Sequence, residues 1–162
     1  MKTTRHNNGF TLVEVLIAVI LVGLAISALL VANKSFTIAN ACGADMSTAE
    51  FLSEQMRELT ALLPVIDPET ETATFGPEEA SLANYDDLDD FDAATFSPPI
   101  DANRSVLNDF AGFSQQVTVE NVNASNFEQV VADHSSSFVR VKVTVLLNGR
   151  EISAVSWIRA QY

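Results

Sequence analysis

Five aspartates fall close together at Asp86, Asp87, Asp89, Asp90 and Asp92. Carboxylate oxygens at this density are the ligands a hard cation takes, so the run is a candidate Ca2+ site. It lacks the glycine and terminal glutamate of an EF-hand loop. A solvated acidic turn, with Tyr85, Leu88 and Phe91 packed inward at helix-like spacing, accounts for the same residues. Glu14 poses a different question, because it is the only charge in residues 10–32. An acid at mid-bilayer costs about 2.5–3.5 kcal/mol and less near the interface, so such a residue usually has a partner. His134 stands between Asp133 and Ser135-Ser136-Ser137, the residue types of a hydrolytic triad. Neighbours in sequence rarely reach triad geometry, and this stretch reads as a loop before a strand. The chain has no glycine-rich phosphate loop, no CxxC and no zinc-spaced His/Cys set, so the expectation is a non-enzymatic protein.

Composition narrows the partners. The 162 residues carry 21 acids against nine Lys plus Arg, a net charge of -12. Most of the imbalance lies in residues 67–109, where Arg104 is the only base. Such a surface repels phosphate backbones, and no nucleic-acid partner is expected. Cys42 is the single cysteine, which excludes an intramolecular disulfide.

Residues 10–32 must place Glu14. As a helix they span about 35 Å, enough for a hydrocarbon core of about 30 Å. Lys2 and Arg5 precede the run and no base follows until Lys34. That bias places the leader in the cytoplasm and the C-terminal domain beyond the membrane. A secretory signal peptide has a shorter apolar core and a small-residue cleavage site, unlike Val31-Ala32-Asn33-Lys34. A plain signal anchor fits the length but gives no reason for the acid.

A third reading accounts for both the polar leader and Glu14. The stretch Gly9-Phe10-Thr11-Leu12-Val13-Glu14-Val15 resembles the cleavage and methylation motif of type IV prepilins and type II secretion pseudopilins. The resemblance implies that a prepilin peptidase cuts after Gly9 and methylates Phe10 as the new N-terminus. It also implies that Glu14 serves assembly, and Gly23 matches a small residue of the family helix. Implied partners are other pilin or pseudopilin subunits, the peptidase, an inner-membrane assembly platform and membrane lipid. The implied location is the inner membrane, single-pass, and then a filament in the periplasm or at the cell surface. Many type IV pilins carry a proline late in this helix, whereas here none occurs before Pro64. The ending 156–162 and the stretch 85–92 loosely resemble minor pilins of the mannose-sensitive haemagglutinin D type.

Beyond Lys34, Cys42, Met46, Ala49, Leu52, Met56, Leu59 and Leu63 recur at steps of three and four, one face of an amphipathic helix. The helix is predicted over residues 10–63, stopped by Pro64, with Cys42 as a small packing residue. Residues 64–112 read as an acidic irregular connection. Residues 115–122 alternate moderately. Val139, Val141, Val143, Val145 and Leu147 share one face of a clear strand, and Asn148-Gly149 is a strong hairpin signal. A two-residue turn predicts the pairs Val145–Ile152, Val143–Ala154 and Val139–Ile158, and stacks Arg140 on Trp157. The expected fold is α+β and pilin-like: leader 1–9, membrane helix 10–32, amphipathic continuation 33–63, connection 64–112, and an antiparallel sheet over 113–162.

Overall fold

The structure is a computed structural model that describes residues 9–65, 76 and 79–161. The leader before Gly9 and part of the 64–112 connection, Pro68 included, lie outside the described residues. The chain divides between Gly43 and Ala44 into two units, both served by the helix α1 (Leu12–Thr60).

In the first unit α1 is the one described helix long and apolar enough to cross a membrane. Its large apolar side chains from Leu12 to Val31 are all exposed, which fits membrane anchoring. The hydroxyls along it bond within the helix: Ser27 to the Gly23 carbonyl (2.8 Å), Ser35 to Val31 (3.1 Å) and Thr37 to Asn33 (3.0 Å). Polar groups satisfied in this way can enter lipid without an outside partner.

In the second unit the helix lies on an antiparallel sheet, giving the predicted α+β, pilin-like fold. The strands are β1 (Thr95–Phe96), β2 (Phe113–Asn123), β3 (Asn126–Val130), β4 (Phe138–Leu147) and β5 (Arg150–Ala160). The order is β1-β2-β4-β5, with β3 paired to the far end of β2. Alternation decides which face is buried. Val139, Val141, Val143 and Val145 of β4 are fully buried, opposite Val117 and Val119 of β2. Each such valine contributes about 1.5–3 kcal/mol when removed from water. Ala49, Leu52 and Met56 of α1 close this core from above, and Leu59 and Leu63 pack at its margin.

The helical stripe is shorter than its periodicity. Cys42 is exposed and so is Met46, which corrects the assignment of Cys42 to packing. Period alone does not tell how far along a helix the covering surface extends. At its far end α1 stops at Thr60 rather than 63. The last turn tightens to three-residue bonds, Ala61 N–H to Glu58 (3.3 Å) and Leu63 N–H to Thr60 (3.4 Å), just before Pro64.

The hairpin turn is as predicted, with Asn148 and Gly149 both at positive φ (50° and 78°). The register is not. Leu147 pairs with Arg150 and Leu146 with Glu151, but Val145 then pairs with Ser153, so Ile152 is an extra residue on β5. This bulge shifts every later pair by one. Val143 faces Val155, Val139 faces Arg159, and Trp157 sits opposite Val141 instead of Arg140. The Arg140–Trp157 stack is therefore corrected: the guanidinium over the Trp157 ring is that of Arg57 on α1, 5.8 Å from the centroid. Arg140 instead pairs with Glu120 (2.6 Å) and reaches Glu128 at 4.0 Å.

The connection is more ordered than its composition implies. It holds β1 and single 3-10 turns at Asp89–Phe91 and Asn108–Phe110, and it adds Leu88, Phe91 and Ile100 to the core. Tyr85 packs edge-on to Phe91 at 5.1 Å, in line with the predicted inward trio. Buried Gln115 ties the layers together. Its side chain accepts from Ile100 N–H (2.9 Å) and donates to the carbonyls of Leu52 (2.8 Å) and Ile100 (3.1 Å).

Candidate functional site

At the front, Gly9 and Phe10 precede the helix without regular structure, and Phe10 is 87% exposed. An accessible peptide bond outside regular structure is what a peptidase cleft can bind. Thr11 then caps the helix. Its backbone N–H donates to Glu14 Oε2 (2.8 Å), while Glu14 N–H donates to Thr11 Oγ1 (3.2 Å). The hydroxyl of Thr11 also donates to Glu14 Oε2 (2.8 Å). This is a capping box, and it uses a Glu side chain at the positive end of the helix. Thr11 is thus a partner of Glu14 that the sequence reading passed over, although Thr-x-x-Glu before an apolar run is its recognised signal.

The aspartate run folds into the 3-10 turn Asp89–Phe91, where its members separate into different roles. Asp92 Oδ1 accepts from Val119 N–H (2.8 Å), taking the place of a strand partner along β2. Asp87 Oδ1 accepts from Asp90 N–H (3.0 Å). In return Asp90 Oδ2 accepts from the N–H groups of Asp86 (2.9 Å) and Asp87 (3.4 Å). Asp87, Asp89 and Asp90 are buried, an arrangement a wholly solvated turn does not have. Burial and the neighbouring Asp89 carboxyl push Asp87 up to about 8.

The carboxylates brought together are those of Glu79, Asp86 and Asp90, with one oxygen from each within 4.8 Å of the others. Glu79 was not among the sequence candidates, since no local pattern links it to residues 86–92. Its carboxyl is pushed up to about 7, first by its hydrogen bond with Asp90 and then by desolvation and the Asp90 charge. The single base of this region is used elsewhere: Arg104 donates to the carbonyls of Ala83 (2.9 Å) and Tyr85.

The His134 region is built as a turn. Buried Asn121 accepts from His134 N–H (2.7 Å) and donates to the Ser136 carbonyl (3.0 Å), while Ser135 Oγ donates to the Ala132 carbonyl. These bonds hold the chain between β3 and β4.

No curated protein and no solved structure matches this chain. One family does match at the front: residues 4–30 correspond to the prokaryotic N-terminal methylation motif. That motif points to a structural protein that assembles with other subunits of its kind. With this motif opening a long apolar helix, and a small antiparallel sheet in the second unit, the chain is similar to type IV pilins and pseudopilins.

Proposed function

We propose that this chain is a structural subunit, of the minor kind, of a type IV pilus or a type II secretion pseudopilus. The observation that carries this reading is the methylation motif over residues 4–30, placed on a helix whose apolar side chains are all exposed there. Prepilin peptidase cuts the accessible Gly9–Phe10 bond and methylates the Phe10 amine. The helix then holds the subunit in the inner membrane, with the sheet domain on the far side, until the assembly platform adds it to a filament. The minor role is supported by the single cysteine, which leaves no disulfide-closed C-terminal loop of the kind adhesive pilins use.

Glu14 has a physical task in this scheme. Cleavage creates a cation at Phe10, and in a staggered bundle the Phe10 amine of one subunit meets Glu14 of its neighbour. Pairing offsets the desolvation of both charges and penalises wrong axial registers. The test is the mass of the mature N-terminus after expression with and without a prepilin peptidase. A chain beginning at N-methylated Phe10 only in the presence of the peptidase supports the proposal. A chain beginning at Met1 in both cases leaves an unprocessed, membrane-anchored binding protein.

A further inference from the structure

The tip of the β4–β5 hairpin joins two features that the filament reading leaves unused. The first is chemical. Asn148 is followed by Gly149, and both are exposed at positive φ, 50° and 78°. A Cβ built on Gly149 would meet nothing within 4 Å, so neither a side chain nor a neighbour screens its backbone nitrogen. The side chain of Asn148 takes no hydrogen bond among the described residues, while its backbone N–H donates to the Gly112 carbonyl (2.8 Å). Other asparagines near turns differ. Asn123 and Asn126 accept backbone N–H groups with their side-chain oxygens, from Ser125 at 2.8 Å and Glu128 at 3.2 Å, and residues bearing side chains follow them. Asn121 is buried and accepts from His134 N–H. The second feature is mechanical. The extra residue Ile152 interrupts the ladder, so only the pairs Leu147–Arg150 and Leu146–Glu151 lie between the turn and the bulge. Two pairs cut off from the longer ladder open readily, since local stability follows the contacts that must break together.

We propose that Asn148 is a site of spontaneous deamidation, made available in the folded chain by local opening of the hairpin tip. The closed turn fixes the backbone between Asn148 and Gly149. Opening frees that backbone to rotate and bring the Gly149 nitrogen to Asn148 Cγ. The nitrogen bonds to Cγ, and the side-chain amide leaves as ammonia, which carries off the proton given up by the Gly149 N–H. Water then opens the resulting five-membered imide at one of its two carbonyls, leaving an aspartyl or an isoaspartyl residue. Either product adds a negative charge at the tip, beside Arg150 and Glu151. The isoaspartyl product also adds a methylene to the main chain, so the turn no longer has the length that the pair Leu147–Arg150 needs. The conversion takes in only water and loses its ammonia to the medium. Its extent therefore records how long a subunit has existed.

The test ages the full chain in detergent micelles at fixed pH and temperature. The tryptic peptide of residues 143–150 contains Asn148 as its only asparagine, and its mass and chromatographic splitting read the acid and its isoaspartyl isomer. The expected result is steady conversion at Asn148, with none at Asn121, Asn123 or Asn126 over the same period. Deleting Ile152 keeps Asn148-Gly149 but joins the tip to a continuous ladder, and it should slow the conversion several-fold. Native-state hydrogen exchange on the unaltered chain gives a reading that does not depend on that variant folding. The amides of Leu147 and Arg150 should exchange faster than those of Val143 and Val155. An intact Asn148 in the folded chain, after a period in which the urea-unfolded chain converts, would overturn the proposal. So would conversion at the wild-type rate in a folded chain without Ile152, or equal exchange at the tip and at Val155.

Discussion

Gln115 occupies a position where the alternation of β2 calls for a valine, and it repays the substitution with three hydrogen bonds reaching α1 and the connection. Gln115→Met keeps the volume but leaves the Ile100 N–H buried without an acceptor. It should cost about 1–3 kcal/mol, read by chemical denaturation in micelles. Glu14 carries two roles that substitution can separate. Glutamine retains the capping box with Thr11 but removes the charge, whereas alanine removes both. Both variants should insert into the membrane normally and enter filaments poorly, and only Glu14→Ala should also lose about 1 kcal/mol of helix stability. Wild-type incorporation of Glu14→Gln would assign the residue to capping alone. Glu14 stood out in the sequence because an acid in an apolar run is anomalous, although its bonding to Thr11 was passed over. The role of Gln115 was not legible, because a polar residue on a half-buried strand carries no mark of its distant partners.

The β4–β5 hairpin shows where local pattern stops determining structure. Its turn followed from Asn148-Gly149, and the buried face of β4 from its valines, since both are short-range properties. The bulge at Ile152 was not legible, because the sequence alternates acceptably in either register; in the observed one Trp157 packs against the core and under Arg57. Deleting Ile152 should leave a regular two-residue register in which Val145 still meets Ser153 and Trp157 still meets Val141. The measurable result is an emission maximum from the only tryptophan that stays at the wild-type wavelength. The connection was underestimated for a related reason. Its core residues Leu88, Phe91 and Ile100 are spaced irregularly, and what orders them is bonding to β2 from Asp92 and Ala94 rather than any period of their own.

For the whole molecule, sequence carries most of the functional assignment and structure most of the tertiary detail. The methylation motif is contiguous and so is readable in a single pass, whereas the acidic cluster joins Glu79 to a turn that begins ten residues on, at Asp89. The most distant contacts belong to Arg159, near the end of β5. Its guanidinium donates to the carbonyls of Thr60 (2.7 Å) and Leu63 (3.0 Å), filling the acceptors left open where α1 ends. Arg159→Met should destabilise the sheet domain by about 1.5–3 kcal/mol, measured by thermal or denaturant unfolding. Arg159 lies 99 residues after Thr60. A ribosome making this chain therefore releases the helix terminus long before the residue that closes it. Until then the emerging polypeptide presents an open helix end and half a sheet, the state that holdase chaperones and proteases recognise. Arg159 thus works as a late latch, closing the helix end only once β5 has been made.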